Sequence, residues 1–375
     1  MNLNHRLAAG KGLSGVELVM YRVRGPASYL IPFVILALSW WRALEYFGEE
    51  WQVGTFSTAF FPYVTRLVSS LFSIDQSVVV SQLVLIGYVL TPLSFYVFVY
   101  ALTKRHLPSA LTAVLMILPL NIFSTTAPER LILALTAGDG AHILGFTFIP
   151  LVALLFFTYI RSGKISVLIG LGLVDVVLAL TSFFAQFILF FVCLFITISE
   201  VLVGQGRIKF TRFGLFFAVY ILVAVVIYNI SLLGIIVSET GQTTLAVLAN
   251  LLPLSFFLVP VLGTFAFLIF DRRPTLQPLF LALSFFVVFG LLHLVRISFV
   301  DIPILQQDRY AVEVSFGQSF LVALLITWIF DLLRAGKIIE RTPQLVANKT
   351  LVAYAFVGTC ILFISFSILF IPHSL

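Results

Sequence analysis

The sequence predicts an all-α, polytopic membrane protein, a bundle of about eleven transmembrane helices. Three observations carry that prediction. Of 375 residues, 61% are hydrophobic and only 10% charged, whereas a soluble domain carries about 45–50% apolar and about 25% charged residues. Second, the mean hydropathy is +1.13, and the apolar residues gather into continuous runs of roughly 20, the length that crosses about 30 Å of hydrocarbon. Third, lysine and arginine fall between alternate runs, as the positive-inside rule requires. A membrane β-barrel would show alternating strands instead.

The same composition excludes several function classes. A net charge of +6 reflects basic loops on one membrane face rather than nucleic-acid binding. Cys193 and Cys360 lie inside apolar runs without metal-ligand spacing and read as small buried hydrophobes. There is no Walker loop, zincin motif, nucleophile elbow or nucleotide fingerprint. No cofactor is implied, and a divalent metal is not indicated.

Residues 1–28 form a basic segment with Arg6, Lys11, Arg22 and Arg24, expected in the cytoplasm. The transmembrane domain is 29–375. Its first run starts near Tyr29 and has no small-residue cleavage site, so it reads as an uncleaved signal anchor. The spans are about 29–47, 78–101, 109–124, 142–160, 165–181, 183–203, 213–237, 246–270, 276–298, 316–333 and 350–371. The apolar run 165–203 is divided at Thr181-Ser182, because one merged span would place Arg207, Lys209 and Arg212 outside. With this division the cytoplasmic loops hold Lys104-Arg105, Arg161, Lys164, Arg207, Lys209, Arg212, Arg272-Arg273, Arg334, Lys337, Arg341 and Lys349. Arg42, Arg66, Arg130, Arg296 and Arg309 are left for the outer half. The acids Glu49, Glu50, Asp75, Glu129, Asp139, Glu239, Asp301, Asp308 and Glu313 also fall on the outer side.

Three outer segments are long, about 48–77, 125–141 and 299–315. The first holds Trp51, Phe56, Phe60, Phe61, Tyr63, Leu67 and Leu71 among polar residues, the pattern of an amphipathic helix over about 52–74 lying in the membrane interface. Prolines inside the spans, among them Pro92, Pro119, Pro150, Pro253 and Pro260, predict kinks.

Chemistry, where present, is expected to face outward. Glu49-Glu50, Glu129-Arg130, Asp139 with His142, and Asp308-Arg309 all stand at outer ends of spans. Glycosyl transfer needs a carboxylate to take the acceptor proton and cations to hold a departing phosphate. The set supplies both; each charge taken singly also fits a solvated group at headgroup level. Asp175 falls near the bilayer midplane, with Gln186 on the next span as a candidate partner; structural pairing, a transport or proton role, and a different span boundary are all open. His293 and Arg296 share one helical face near an outer end.

The order of features resembles the GT-C class of membrane glycosyltransferases. The resemblance runs from the first span and the outer aromatic segment, Trp51-Gln52-Val53-Gly54 through Phe61-Pro62-Tyr63, to Ala127-Pro128-Glu129-Arg130-Leu131, Gly138-Asp139, Leu144-Gly145-Phe146 and Ile149-Pro150-Leu151. It covers roughly residues 29–165, and the remainder only by span count. It implies a polyprenyl-phosphate sugar donor, an acceptor reached from the outer face, membrane lipid as surroundings and a prokaryotic plasma membrane. In that class a catalytic Asp sits in the first outer loop, where this chain offers Glu49, Glu50 and Asp75. The expected catalytic residues are Glu49, Glu50, Glu129 and Asp139; the expected lipid-phosphate ligands are Arg130, Arg296 and Arg309. A transporter or lipid flippase built on Asp175, and a non-catalytic membrane scaffold, are the alternatives.

Overall fold

In a computed structural model the chain is described over residues 30–44, 60–117, 140–203, 206–228, 276–294 and 310–334, and it is helical throughout these segments apart from short turns. The helices are α1 (Leu30–Ala43), α2 (Phe60–Phe72), α3 (Gln76–Thr103), α4 (His106–Ile117), α5 (Gly140–Ser162), α6 (Ile165–Thr181), α7 (Phe183–Val203), α8 (Gly206–Tyr228), α9 (Gln277–Leu294) and α10 (Ala311–Arg334). Helices α3, α5, α7, α8 and α10 are long and apolar enough to cross a bilayer. Together with the composition, they make the chain an integral membrane protein.

Six helices close a ring by successive contacts: α3 on α5, α5 on α7, α7 on α9, α9 on α10, α10 on α4, and α4 back on α3. Phenylalanines fill the centre. Phe95 from α3, Phe146 from α5, Phe285 and Phe289 from α9 and Phe316 from α10 are all buried there. The Phe95 and Phe316 rings are 3.9 Å apart and the Phe285 and Phe316 rings 5.4 Å. Helices α6 and α8 lie outside the ring against α5 and α7. Helix α1 rests on α3 and α4 through Ile35, Tyr96, Ala113 and Ile117.

In lipid the helices gain little from burying apolar surface, so close approach and interhelical hydrogen bonds hold them together. Both devices are present. The hydroxyls of Thr91 on α3 and Thr147 on α5 donate to the Gly87 carbonyl at 2.6 and 2.8 Å. At Gly317 the α10 backbone lies on α9 so closely that a Cβ would stand 2.5 Å from the Phe286 amide nitrogen. Pro92 and Pro150 sit inside α3 and α5, as expected; Pro119, Pro253 and Pro260 lie outside the described residues.

Local chemistry sets the helix ends. Asp75 caps α3, its carboxylate accepting from the Ser77 N–H at 3.1 Å. The helix stops at Lys104, which turns left-handed (φ 55°) and donates its N–H to the Tyr100 carbonyl. The long apolar run breaks where the charges place the break: α6 ends at Thr181, Ser182 is extended (φ −152°, ψ 122°), and α7 starts at Phe183. Helix α2 falls inside the segment expected to be interfacial; it buries Phe61 and Thr65 and exposes Tyr63, Leu67, Leu71 and Phe72. Residues 52–59 of that segment lie outside the described residues.

Segments assigned by charge to one side meet at one end of the bundle. Glu200, at the end of α7, is 1% exposed and accepts from Arg161 of α5 at 2.7 Å, Lys209 of α8 at 2.7 Å and Gln277 of α9 at 2.6 Å. Arg105 of α4 grips Asp331 of α10 with two bonds of 2.7 and 2.8 Å. Arg212 donates to the Ile160 and Arg161 carbonyls, closing the end of α5, and its guanidinium lies over Gly163, whose φ of +68° suits glycine. The basic end therefore has carboxylates of its own, Glu200 and Asp331, beside the outer acids recognised from the sequence.

The Glu200 cluster makes an asymmetric prediction. When Glu200 is lost, Arg161, 48% exposed, can turn to water, and Lys209, 16% exposed, keeps only its bond to the residue-200 carbonyl, so Glu200→Gln should cost about 1–2 kcal/mol. Replacing Arg161 and Lys209 together by methionine strands a buried carboxylate and should cost about 3–5 kcal/mol. Unfolding midpoints in detergent test this; equal losses would show that Glu200 reaches solvent.

Candidate functional site

At the opposite end of the bundle the first turns of α5 and α10 meet. His142 and Glu313 lie 171 positions apart in sequence, yet His142 Nε2 is 2.8 Å from Glu313 Oε1. Their side chains are 0% and 1% exposed. The pair is walled by aromatic rings. Phe184 stands edge-on to the imidazole at 4.7 Å and Phe146 lies at 5.9 Å. Tyr310, at the head of α10, packs against Phe184 and Phe289.

Each helix brings its residue here for a simple reason. Helix α5 starts at Gly140, so His142 falls in its first turn. The Val314 N–H donates to the Tyr310 carbonyl at 2.9 Å, which opens α10 and puts Glu313 in its first turn too. Negative charge at a helix start is favoured by the exposed N–H groups there.

The two oxygens of Glu313 differ. Oε1 is held by the imidazole. Oε2 is buried and has no hydrogen-bond partner among the described residues, and Glu313 lines a narrow crevice whose remaining walls include Phe95, Phe146, Phe285, Phe289 and Phe316. A carboxylate oriented through one oxygen and unpartnered through the other keeps an acceptor for a proton or a hydrogen bond at that crevice. Unmet, such a buried oxygen is costly. Sequence reasoning noted Glu313 only as one outer acid and His142 only as a neighbour of Asp139. The signal available was the position of each at the start of an apolar run; nothing in the sequence joins them.

The sequence-predicted site residues Glu49, Glu50, Glu129, Arg130, Asp139, Arg296 and Arg309 all lie outside the described residues, and so does the His293 side chain. Among the described residues no group of three metal-ligating side chains occurs.

Asp175 of α6 is fully buried, facing α7 and α8. Gln186 faces it, but among the described residues neither carboxylate oxygen closes a hydrogen bond, and Gln186 Nε2 has no partner either. The Ser182 break explains the near miss. Asp175 lies seven residues before it and Gln186 four after, an axial offset of about 4.5 Å across the helical hairpin. Other polar groups of this layer are engaged elsewhere: the Tyr220 hydroxyl donates to the Gln186 carbonyl and the Tyr228 hydroxyl to the Ala179 carbonyl. Asp175→Asn is therefore expected to leave the unfolding midpoint unchanged or raised, because among the described residues the carboxylate makes no hydrogen bond or ion pair that the amide would lose. A clear fall in the midpoint would mean that Asp175 holds α6 to its neighbours.

No family model matches the chain, and no curated protein sequence matches it. Among solved structures the chain is similar to the crystal structure of the Archaeoglobus fulgidus oligosaccharyltransferase tethered with an acceptor peptide, with a TM-score of 0.47 at 12% identity. The alignment covers 92% of this chain and 55% of that one, so the chain spans about half the length of that protein. No residue role passes from it to this chain.

Proposed function

We propose that the protein is a GT-C-like glycosyltransferase that moves a sugar from a polyprenyl-phosphate donor to an acceptor at the outer membrane face. The observation that supports this most is the meeting of α5 and α10 at His142 and Glu313. In the sequence, Asp139 immediately precedes Gly140, the first residue of α5, and Arg309 immediately precedes Tyr310 at the head of α10. The sequence thus connects the segments carrying Glu129, Arg130 and Asp139, and Arg296 and Arg309, to the helices of His142 and Glu313.

The roles follow from what the reaction needs. The acceptor must lose a proton as it attacks the anomeric carbon, and the lipid phosphate must leave with its negative charge held. Glu313, with its buried and unpartnered oxygen, joins Glu49, Glu50, Glu129 and Asp139 as a candidate base. His142 orients Glu313, and the phenylalanine lining excludes water, which strengthens each charge interaction. Arg130, Arg296 and Arg309 are the candidate phosphate ligands. The overall step breaks the bond between the sugar and the phosphate oxygen and forms one bond to the acceptor; the proton passes to the carboxylate.

A second reading, a transporter, is favoured by one observation, the buried Asp175 carboxylate without a hydrogen bond. The two readings separate in one assay. Purified protein in lipid nanodiscs should release polyprenyl phosphate from a radiolabelled polyprenyl-phosphate sugar when acceptors bearing hydroxyl or amide groups are supplied. A protein that neither binds nor consumes any such donor, yet carries a proton-coupled flux lost in Asp175→Asn, is a transporter.

A further inference from the structure

At the basic end, the turn between α5 and α6 carries Arg161 and Lys164, the start of α8 carries Arg207, Lys209 and Arg212, and Arg212 reaches across to the end of α5. Among the described residues one carboxylate, Glu200, answers them, and it takes only Arg161 and Lys209. Arg212 spends its N–H groups on the carbonyls at the end of α5 and meets no carboxylate among the described residues. Lys164 and Arg207 are exposed and make no ion pair among the described residues. Directly along the helices from these three cations the surface turns apolar. Helix α6 exposes Ile165, Ile169 and Leu173, and α8, which packs beside it, exposes Ile208, Phe210 and Leu215.

We propose that this end of the α6–α8 pair is a binding site for an anionic glycerophospholipid. Its phosphate lies among Lys164, Arg207 and Arg212, and its acyl chains run along the exposed faces of α6 and α8. Charge complementarity selects the occupant. A zwitterionic headgroup brings its own cation into the field of three cations that no described carboxylate answers, whereas a phosphoglycerol headgroup brings only an anion. The apolar faces distinguish a lipid from a free phosphate, since they are buried only if chains accompany the headgroup. Each lysine or arginine near an anionic headgroup contributes roughly 1 kcal/mol, about a fivefold change in affinity. The site lies at the far end of the bundle from His142 and Glu313 and does not depend on the glycosyltransferase reading.

The test uses the full chain in neutral detergent, titrated with phosphatidylglycerol, with phosphatidylcholine of the same acyl chains, or with glycerol phosphate. Bound lipid is counted by native mass spectrometry, and the shift in unfolding midpoint is followed in parallel. Phosphatidylglycerol should bind at least about tenfold more tightly than phosphatidylcholine, and glycerol phosphate should not compete at equal concentration. Lys164→Gln and Arg207→Gln should each weaken phosphatidylglycerol about fivefold. Both side chains are exposed, so the fold should survive their loss. Lys104→Gln, an exposed cation on the α3–α4 turn, should leave binding unchanged. Equal affinity for the two lipids, full competition by glycerol phosphate, or an equal effect of Lys104→Gln would each overturn the proposal.

Discussion

Gly317→Leu is expected to lower the stability of the bundle by about 3 kcal/mol, the upper range for forcing atoms into a closed contact. The Phe286 amide nitrogen and Cα would lie 2.5 and 2.7 Å from the first added carbon. These are backbone atoms, which cannot swing aside as a side chain can. Helices α9 and α10 would have to move apart, and their contact is among the most extensive in the structure. Because α9 and α10 are neighbours in the ring, separating them also loosens the Phe285–Phe316 packing at its centre. Gly317→Ala should cost less but in the same direction. Thermal unfolding in detergent measures both, and an unchanged midpoint for the leucine variant would show that α9 and α10 do not meet in this register.

The second large effect is on sugar transfer. Glu313→Gln should reduce it by about a hundredfold or more, the scale of a lost general base, while the unfolding midpoint stays close to wild type. The amide oxygen still accepts from His142, so the pair is kept and only proton acceptance is lost. Arg309→Ala and Arg130→Ala should each reduce transfer at least about tenfold, the effect of one charge-assisted contact worth roughly 1.5–3 kcal/mol. Glu49→Gln and Glu50→Gln complete the set. If both remain near wild type while Glu313→Gln is dead, the acceptor proton goes to Glu313. If one of them is dead and Glu313→Gln is active, the base lies in the first outer loop and Glu313 only positions.

Much of the fold was legible because lipid imposes few solutions. A run of about 20 apolar residues has to be a helix, and the alternation of basic loops determines which helix ends lie together. The break at Thr181-Ser182 shows how far this reasoning reaches. No proline or glycine marks it, and local propensity would have let the helix continue. The charges Arg207, Lys209 and Arg212 required a reversal, and in the structure Arg212 bonds the end of α5 and Lys209 bonds Glu200 at the same end as Arg161.

The site was harder to read because its described part is a contact between distant segments. His142 and Glu313 each look like an ordinary helix-start residue, and it is the closing of the ring, through α3 and α4 on one side and α7 and α9 on the other, that brings them together. Asp175 is the converse case. Its cost in lipid made it conspicuous, and Gln186 was the natural partner on the next span. The register imposed by a one-residue break at Ser182 leaves the two facing without a hydrogen bond. Periodicity gives the face of a helix a residue occupies, but not its height against a neighbouring helix to within the few ångströms that a hydrogen bond demands.

The central claim is that chemistry occurs where α5 and α10 begin. Photo-crosslinking with a polyprenyl-phosphate sugar carrying a diazirine beside its phosphate tests this most directly, with the labelled peptides identified by mass spectrometry. The account predicts label in peptides spanning 139–146 and 309–316, competed away by unmodified donor and reduced in Arg309→Ala. Label confined to the opposite end, in peptides spanning 161–169 and 206–212, would contradict it.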